Sequence, residues 1–183
     1  MIVTPTYVFH LIIYIMGGGK NIIDQDVIKC GTDSLKIKGV LALLYMLHTD
    51  RYFRNLFYHR IGPAKALLIS WMHPGARTLI IPYSTKIGTG MRMAHAYATV
   101  LNAETIGDNF SFLHCTTIGK KAGRRPRIGN NVTLGANVVV LGDITIGNNV
   151  TVGAGSVVVK DVPDNAIVVG NPARIIKYNK PLV

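Results

Sequence analysis

Two histidines and one cluster of cations are the side chains of this sequence best suited to chemistry. His95 and His114 lie 19 residues apart, and a neutral imidazole can take up a proton near physiological pH. Five cations fall within residues 120–127: Lys120, Lys121, Arg124, Arg125 and Arg127. A histidine in a turn is often only a solvated polar residue, and a charged loop is often only a solvated surface. The function of both groups therefore depends on where the fold places them.

The charge of the chain is strongly unbalanced. Its 183 residues include 20 Lys and Arg against 9 Asp and Glu, a formal net charge of +11. Such an excess indicates anionic partners: phosphate groups, an acidic polymer or a membrane surface. With 49% hydrophobic and 16% charged residues, the composition excludes a disordered chain. Nucleic acid is not expected as a partner, because we find no zinc-finger spacing, basic leucine zipper or Gly-rich RNA signature.

The cysteines and the apolar N-terminal stretch bear on the cellular compartment. Cys30 and Cys115 are too few for a disulfide framework, which favours a reducing cytosol, and we interpret Cys115 as structural. The apolar stretch 8–16 contains His10 and is shorter than the roughly 20 residues of a membrane span. It also lacks the positive start of a signal peptide, since the first lysine is Lys20. We expect a cytoplasmic protein, either free or peripheral at the inner face of the membrane.

The sequence changes character near residue 74. Residues 1–74 are expected to form a helical segment, with helices at 36–48, 51–60 and 64–72 and a candidate fourth at 8–16. Asp50 suits the N-cap of the helix at 51–60, and Pro63 suits the first turn of the next helix. Residues 75–183 are expected to form a second domain with a C-terminal cap.

A six-residue repeat dominates that second domain. Every sixth residue from 128 is aliphatic: Ile128, Leu134, Val140, Ile146, Val152 and Val158. Upstream, the same step connects Ile81, Ile87 and Met93, and then Val100, Ile106, Phe112 and Ile118. One residue is inserted between Met93 and Val100, and four are inserted before Ile128. A unit of six fits one short strand and a turn, so three units predict a triangular coil whose stacked copies form a mainly β, parallel β-helix.

The repeat predicts a column of residues on successive coils: His95, His114, Ala136 and Ala154. The small side chains of this column would let a long ligand lie against the backbone. Three coil steps span roughly 14 Å at strand spacing, which is comparable with an extended pantetheine arm. Lys160 and Arg174 lie beyond the column and suit phosphate groups. His95 is the catalytic candidate, and His114 is either a second catalytic residue or a structural one.

Two segments resemble the hexapeptide-repeat acyltransferases, and within them the serine acetyltransferase group. They are KIGTGMRMAHAYATVLNAETIGDN at 86–109 and VGAGSVVVKDVPDNAIVVGNPARIIK at 152–177. The resemblance covers about residues 58–177. It implies a left-handed β-helix, a homotrimer with acetyl-CoA bound between neighbouring prisms, and no metal. Pairing of trimers into hexamers stays open.

The resemblance also implies roles for individual residues. His95 would be the general base that takes the proton of the acceptor hydroxyl. Gly119, Ala136 and Ala154 would contact acetyl-CoA through their backbone, and Lys160 matches a position that is often basic. Arg124 would hold the carboxylate of serine.

Two departures separate this chain from the serine acetyltransferases. Ile80 stands where they carry an Asp that orients the catalytic His, and Arg125 stands where they carry a His. The short helical start and an end at Val183 favour the colanic-acid-type exopolysaccharide and capsule O-acetyltransferases. We therefore expect Arg124 and Arg125 to bind the acceptor substrate.

Three functions remain open from the sequence. The first is an acetyl-CoA-dependent O-acetyltransferase that modifies a sugar hydroxyl in surface or capsular polysaccharide biosynthesis. The second is a serine O-acetyltransferase of cysteine biosynthesis. The third is a non-catalytic hexapeptide assembly module, against which His95 and the column of small residues argue.

Overall fold

The computed structural model describes residues 5–32 and 37–179. Its N-terminal part is helical: α1 (Tyr7–Met16), α2 (Lys20–Val27), a π-helical turn (Ile28–Thr32), α3 (Gly39–Thr49), α4 (Arg51–Ile61) and α5 (Pro63–Ile69). The four predicted helices correspond to α1, α3, α4 and α5, although residue 36 lies outside the described residues. The predicted extension of the last helix to residue 72 is wrong, because α5 ends at Ile69.

Local sequence explains where α4 begins. Its N-cap is Asp50, whose carboxylate accepts hydrogen bonds from the backbone N–H groups of Tyr52 at 2.7 Å and Phe53 at 3.2 Å. These two donors have no partner inside the helix, so the cap stabilises the first turn. Helix α2 is not predicted from the sequence, because its segment KNIIDQDV is short and mostly polar.

Fifteen short strands in the described residues form a triangular prism. The first face contains β1 (Leu79–Ile80), β4 (Thr99–Leu101), β7 (Thr117–Gly119), β10 (Val139–Leu141) and β13 (Val157–Val158). The second face contains β2 (Lys86–Ile87), β5 (Thr105–Ile106), β8 (Arg127–Ile128) and β11 (Thr145–Ile146). The third face contains β3 (Arg92–Met93), β6 (Ser111–Phe112), β9 (Thr133–Leu134), β12 (Thr151–Val152), β14 (Ala166–Val169) and β15 (Arg174–Tyr178). Paired strands are parallel, except that β15 runs antiparallel to β14. The predicted parallel β-helix is thereby confirmed.

The aliphatic residues of the repeat fill the interior of the prism. Leu134, Val140 and Ile146 are fully buried, and the register pairs Phe112 with Leu134 and Leu134 with Val152. Each coil therefore buries the apolar face of the next, which is the main source of stability in a solenoid.

One repeat position was predicted wrongly. Leu101, not Val100, is the inward residue of β4: Leu101 is fully buried and pairs with Ile118, while Val100 is only half-buried. Two residues are therefore inserted after Met93, and one is missing before Ile106. The corner after Met93 accommodates the insertion with a left-handed backbone conformation at His95. The candidate site lies at this corner.

A buried ion pair joins the helices to the first coil. The Arg60 guanidinium contacts the Asp26 carboxylate at 2.8 Å and donates to the carbonyls of Ile87 at 2.6 Å and Gly88 at 2.5 Å. Asp26 also accepts a hydrogen bond from the backbone N–H of Met91 at 2.9 Å. Both charged side chains are almost fully buried. Helices α2 and α4 are thus held against the coil that precedes His95.

Candidate active site

Backbone hydrogen bonds define the column of residues at one corner of the prism. Cys115 donates its N–H to the carbonyl of Tyr97, and Asn137 donates to the carbonyl of His114. Gly155 donates to the carbonyl of Ala136 in the same way. Equivalent positions on successive coils are therefore Tyr97, His114, Ala136 and Ala154. The predicted alignment is correct for the last three, but Tyr97 takes the position expected for His95.

His95 lies within the two-residue insertion of this corner. The preceding Ala94 is still in register, because its N–H donates to the carbonyl of Phe112 at 3.1 Å. The chain then turns sharply at His95, which has a left-handed backbone (φ 53°), and Tyr97 donates its N–H to the carbonyl of His95 at 2.6 Å. A positive φ is uncommon for a residue other than glycine. The His95 side chain is exposed at the corner that also carries His114 on the next coil.

His114 is half-buried in the middle of this corner. The next residue, Cys115, has a left-handed backbone (φ 57°) and a free, half-buried thiol. Asn109, Asn131 and Asn149 take the same backbone conformation at the equivalent turn position of another corner. Cys115 therefore occupies a recurring turn position, in keeping with its structural interpretation.

The lower part of the column offers an accessible backbone. Ala136 is half-buried and Ala154 is exposed. Neither donates its N–H to another backbone carbonyl in residues 5–32 and 37–179. Carbonyl groups of a ligand could therefore accept hydrogen bonds from these two backbone N–H groups. Gly119 borders the adjoining face, where a Cβ would come within 3.0 Å of a methyl group of Leu141.

Two exposed cations lie beyond Ala154. Lys160 and Arg174 line one hollow of about 170 Å³ at the last turn of the prism. Neither forms an ion pair with any residue in the described part of the chain. Both side chains are therefore available to an anionic group.

The basic loop is a small hairpin whose arginines already have partners. Lys121 and Arg124 exchange backbone hydrogen bonds of 3.0 and 3.1 Å. The guanidinium of Arg124 contacts Asp143 at 2.6 Å, and its hydrogen bond lowers the pKa of that carboxyl group. Arg127 contacts Asp143 at 3.2 Å and Glu104 at 2.6 Å.

The remaining cations of the loop differ in their contacts. Arg125 donates to the hydroxyl of Ser84 at 2.9 Å. Lys120 and Lys121 are exposed and make no ion pair with the residues that the structure describes. Only these two lysines are therefore without a side-chain partner in the hairpin.

Ile80 pairs with Val100 on the next coil and lines a hollow of about 640 Å³ between α4, α5 and β1. His59 and Tyr83 also line this hollow, and their rings stack with centroids 5.7 Å apart. Burial lowers the pKa of His59. His59 is not predicted as a site residue from the sequence, because no periodic signal connects it to Tyr83.

Neither a metal cluster nor a spanning helix is found within the described ranges. No group of three His, Cys, Asp or Glu residues in them could hold a metal ion. No helix in them is long and apolar enough to cross a membrane.

Comparisons with known proteins agree with this architecture. The family described as "Bacterial transferase hexapeptide (six repeats)" matches residues 125–160. WcaB of Escherichia coli (strain K12), whose name assigns it to colanic acid biosynthesis as an acetyltransferase, is 52% identical over 99 residues. That match covers 52% of this chain and 61% of WcaB. The mitochondrial serine acetyltransferase 3 of Arabidopsis thaliana is 47% identical over 109 residues, which is 57% of this chain and 26% of the relative.

A solved structure extends the similarity to the helices. The serine acetyltransferase of Neisseria gonorrhoeae has a TM-score of 0.73 and 30% sequence identity, and the match covers 93% of this chain and 71% of that one. The prism is accordingly a left-handed parallel β-helix with N-terminal helices. On the repeat, the fold and these similarities, the chain belongs to the hexapeptide-repeat acyltransferases, in the group that contains serine acetyltransferases and WcaB.

Proposed function

We propose that this protein is an acetyl-CoA-dependent O-acetyltransferase that acetylates a sugar hydroxyl in surface or capsular polysaccharide biosynthesis. The observation that carries the proposal is the corner of the prism, where an exposed His95 stands at one end of a column of small residues. The column continues past Ala136 and Ala154 to Lys160 and Arg174, two cations that form no ion pair within residues 5–32 and 37–179. The 52% identity with WcaB supports the choice of acceptor.

The column fits acetyl-CoA in an extended conformation. The free N–H groups of Ala136 and Ala154 would donate to carbonyls of the pantetheine arm, and the small side chains leave room for it. Lys160 and Arg174 would bind the phosphates at the far end. A neighbouring prism would close the other side of the cleft, so we propose a homotrimer.

His95 acts as the general base in this proposal. Its imidazole accepts the proton of the acceptor hydroxyl while the hydroxyl oxygen forms a bond with the acetyl carbonyl carbon. The carbon–sulfur bond then breaks, and the imidazolium returns the proton to the departing thiolate. Positioned proton transfer of this kind contributes roughly 10²–10⁴-fold to the rate. His114, on the next coil of the same corner, is the second catalytic candidate.

The contacts of the hairpin favour a sugar over serine. Arg124, the candidate for gripping a serine carboxylate, is already paired with Asp143. Lys120 and Lys121 have no such partner and would attract an acidic glycan or a diphosphate. Ile80 adds no carboxylate to orient a histidine. We propose that the hairpin faces the acceptor, with Arg124 and Arg125 at its border.

Serine O-acetylation is the alternative function. Its support is the match to the serine acetyltransferase of Neisseria gonorrhoeae across 93% of this chain, helices included. Arg124 would then have to exchange Asp143 for the substrate carboxylate. Both groups are exposed, so the exchange would cost little.

One assay separates the two functions. Purified protein is incubated with acetyl-CoA and either serine, neutral sugars, acidic sugars or nucleotide sugars, and the released thiol is measured. We expect acetyl transfer to a sugar acceptor and loss of that activity in His95→Asn. A kcat/KM for serine above that of every sugar in the panel would overturn the sugar assignment.

A further inference from the structure

Helix α1 is oriented with its polar side chains inward. Tyr7, His10 and Tyr14 are each at most 2% exposed. The outward face is apolar, and its exposed residues are Val8, Phe9, Ile12, Ile15 and Met16. Met16 is 83% exposed. A surface helix of a globular protein normally shows the opposite arrangement.

Specific polar contacts hold α1 in this orientation. The Tyr7 hydroxyl donates to the carbonyl of Leu47 at 2.9 Å, and His10 Nε2 lies 3.0 Å from the hydroxyl of Tyr58. The Tyr14 hydroxyl donates to the carboxylate of Asp24. Rotating the helix to hide its apolar face would break these bonds and leave buried polar groups unpaired. The apolar face is therefore a fixed feature of the surface.

Residues of α5 and the turn after it extend this face. Leu67, Leu68 and Trp71 are all more than two-thirds exposed. Together with Phe9 and Ile12 of α1, Leu68 and Trp71 line an apolar groove of about 260 Å³. The indole N–H of Trp71 donates to the carbonyl of Leu68 at 3.0 Å, so its polar atom is satisfied and the ring can enter an apolar medium. We use the term apolar face for this set of exposed residues: Val8, Phe9, Ile12, Ile15, Met16, Leu67, Leu68 and Trp71.

Charge selects the partner of the apolar face. Neither α1 nor α5 contains an acidic residue, and Lys65 of α5 is exposed beside Leu67 and Leu68 in the sequence. Lys20, the first residue of α2, is also exposed but forms an ion pair with Asp24 at 3.5 Å. The whole chain carries a formal net charge of +11. An anionic lipid surface would complement this positive charge at the apolar face, whereas a second copy would bring charge of the same sign to it. Exposed apolar side chains bordered by cations are typical of helices that lie in a membrane interface.

We propose that the apolar face docks the protein on an anionic lipid surface. Helix α1 would lie in the plane of the interface, since a helix of 10 residues is about 15 Å long and cannot cross a bilayer. Phe9, Met16 and Trp71 would enter the acyl boundary, and Lys65 would contact phosphate groups. This inference concerns where the protein works and does not depend on the proposed acetyl transfer.

The single tryptophan of the chain reports directly on this face. Vesicles of phosphatidylglycerol and phosphatidylcholine in equal amounts are added to the intact protein, and Trp71 fluorescence and co-sedimentation are measured. We expect a blue shift, quenching by lipids brominated on their acyl chains, and binding that weakens as salt is added. Equal binding to vesicles of phosphatidylcholine alone would overturn the preference for an anionic surface.

A matched pair of variants tests whether the apolar face is the site of lipid binding. Phe9→Gln combined with Leu68→Gln should reduce vesicle binding at least tenfold. The control Ile176→Gln removes a comparably exposed apolar side chain from β15 and should bind like the parent. Circular dichroism and thermal unfolding in the absence of lipid check that the variants fold. The parent protein could instead fail to bind vesicles and form a larger assembly in sedimentation velocity, which the Phe9→Gln/Leu68→Gln variant does not form. In that case a second copy covers the apolar face and the proposal fails.

Discussion

Tyr97 donates its backbone N–H to the carbonyl of His95 at 2.6 Å, and this bond closes the turn that projects His95 from the prism. The turn keeps Tyr97 in line with His114 on the next coil while His95 stays exposed. The left-handed backbone of His95 (φ 53°) is uncommon for residues other than glycine, and it is additional to the left-handed turn residue Ala98 of the same corner. Such local strain is common where a side chain must be held in a functional position.

This geometry predicts the behaviour of His95→Asn. Because the side chain is exposed and asparagine tolerates a left-handed backbone, we expect an unchanged melting temperature. Loss of the general base should lower kcat at least about 10²-fold, with little change in the KM for acetyl-CoA. The exposed His48 on α3 provides a control, and His48→Asn should retain full turnover. Near-normal turnover of His95→Asn would remove the proposed mechanism.

The column of small residues predicts a separate effect on acetyl-CoA binding. In Ala136→Leu or Ala154→Leu the added side chain would fill the space beside the free N–H groups. We expect at least a tenfold loss of acetyl-CoA affinity by calorimetry, with normal thermal unfolding. Ala64→Leu, at an exposed position of α5, is the matched control. Unchanged affinity in both column variants would mean that acetyl-CoA follows another path.

The sequence alone predicts those parts of the fold that repeat. Residues such as Leu134, Val140 and Ile146 mark the inward positions because each coil imposes the same burial on every sixth residue. The N-cap at Asp50 is likewise a local signal. The insertion before Leu101 could not be resolved in this way. Val100 and Leu101 are both aliphatic, so the repeat pattern fits either of them as the inward residue. The backbone conformation of the corner after Met93 determines which one points inward.

Contacts between distant segments were beyond the reach of sequence patterns. Asp26 and Arg60 are 34 residues apart and belong to helices without a common period. The pairing of Arg124 with Asp143 also requires the register of two coils to be known. For the same reason, the sequence shows five cations in the loop but not that its three arginines contact neighbouring side chains.

The ion pair between Asp26 and Arg60 should be important for stability. Arg60→Met would leave a buried carboxylate and the carbonyls of Ile87 and Gly88 without their partner. Breaking one side of a buried pair costs about 3–5 kcal/mol, so urea unfolding should show a loss of this size. The double variant Asp26→Leu/Arg60→Met removes both charges and should recover part of it. A loss below about 1 kcal/mol in Arg60→Met would show that the pair does not hold the helices to the prism.

Burial of His10 predicts a pH dependence of stability. Burial, together with the nearby His73, lowers the pKa of His10 to about 4, against about 6.5 in an unfolded chain. Between these values the unfolded chain binds a proton that the folded protein does not. Stability should therefore fall as the pH decreases from about 6.5 to about 4, by about 1.4 kcal/mol per pH unit.

Urea unfolding at pH 7 and pH 5 measures this dependence. In His10→Gln, whose amide can still bond the hydroxyl of Tyr58, the loss between these pH values should be smaller by about 2 kcal/mol. Titrating groups that do not contact His10 contribute equally to both proteins and cancel in the comparison. Identical losses in the two proteins would contradict a neutral, buried His10.

The hairpin at Lys120 and Lys121 predicts how the acceptor is recognised. Neutralising Lys120, Lys121 and Arg125 together should raise the KM of an acidic acceptor several-fold and leave acetyl-CoA affinity unchanged. The effect should shrink as salt increases, because exposed charges are screened beyond roughly 10 Å at 0.1 M salt. Arg127→Gln is the control, since its guanidinium is already shared between Glu104 and Asp143. If the triple variant instead loses acetyl-CoA affinity, these cations bind a phosphate of CoA from a neighbouring subunit, and the hairpin does not face the acceptor.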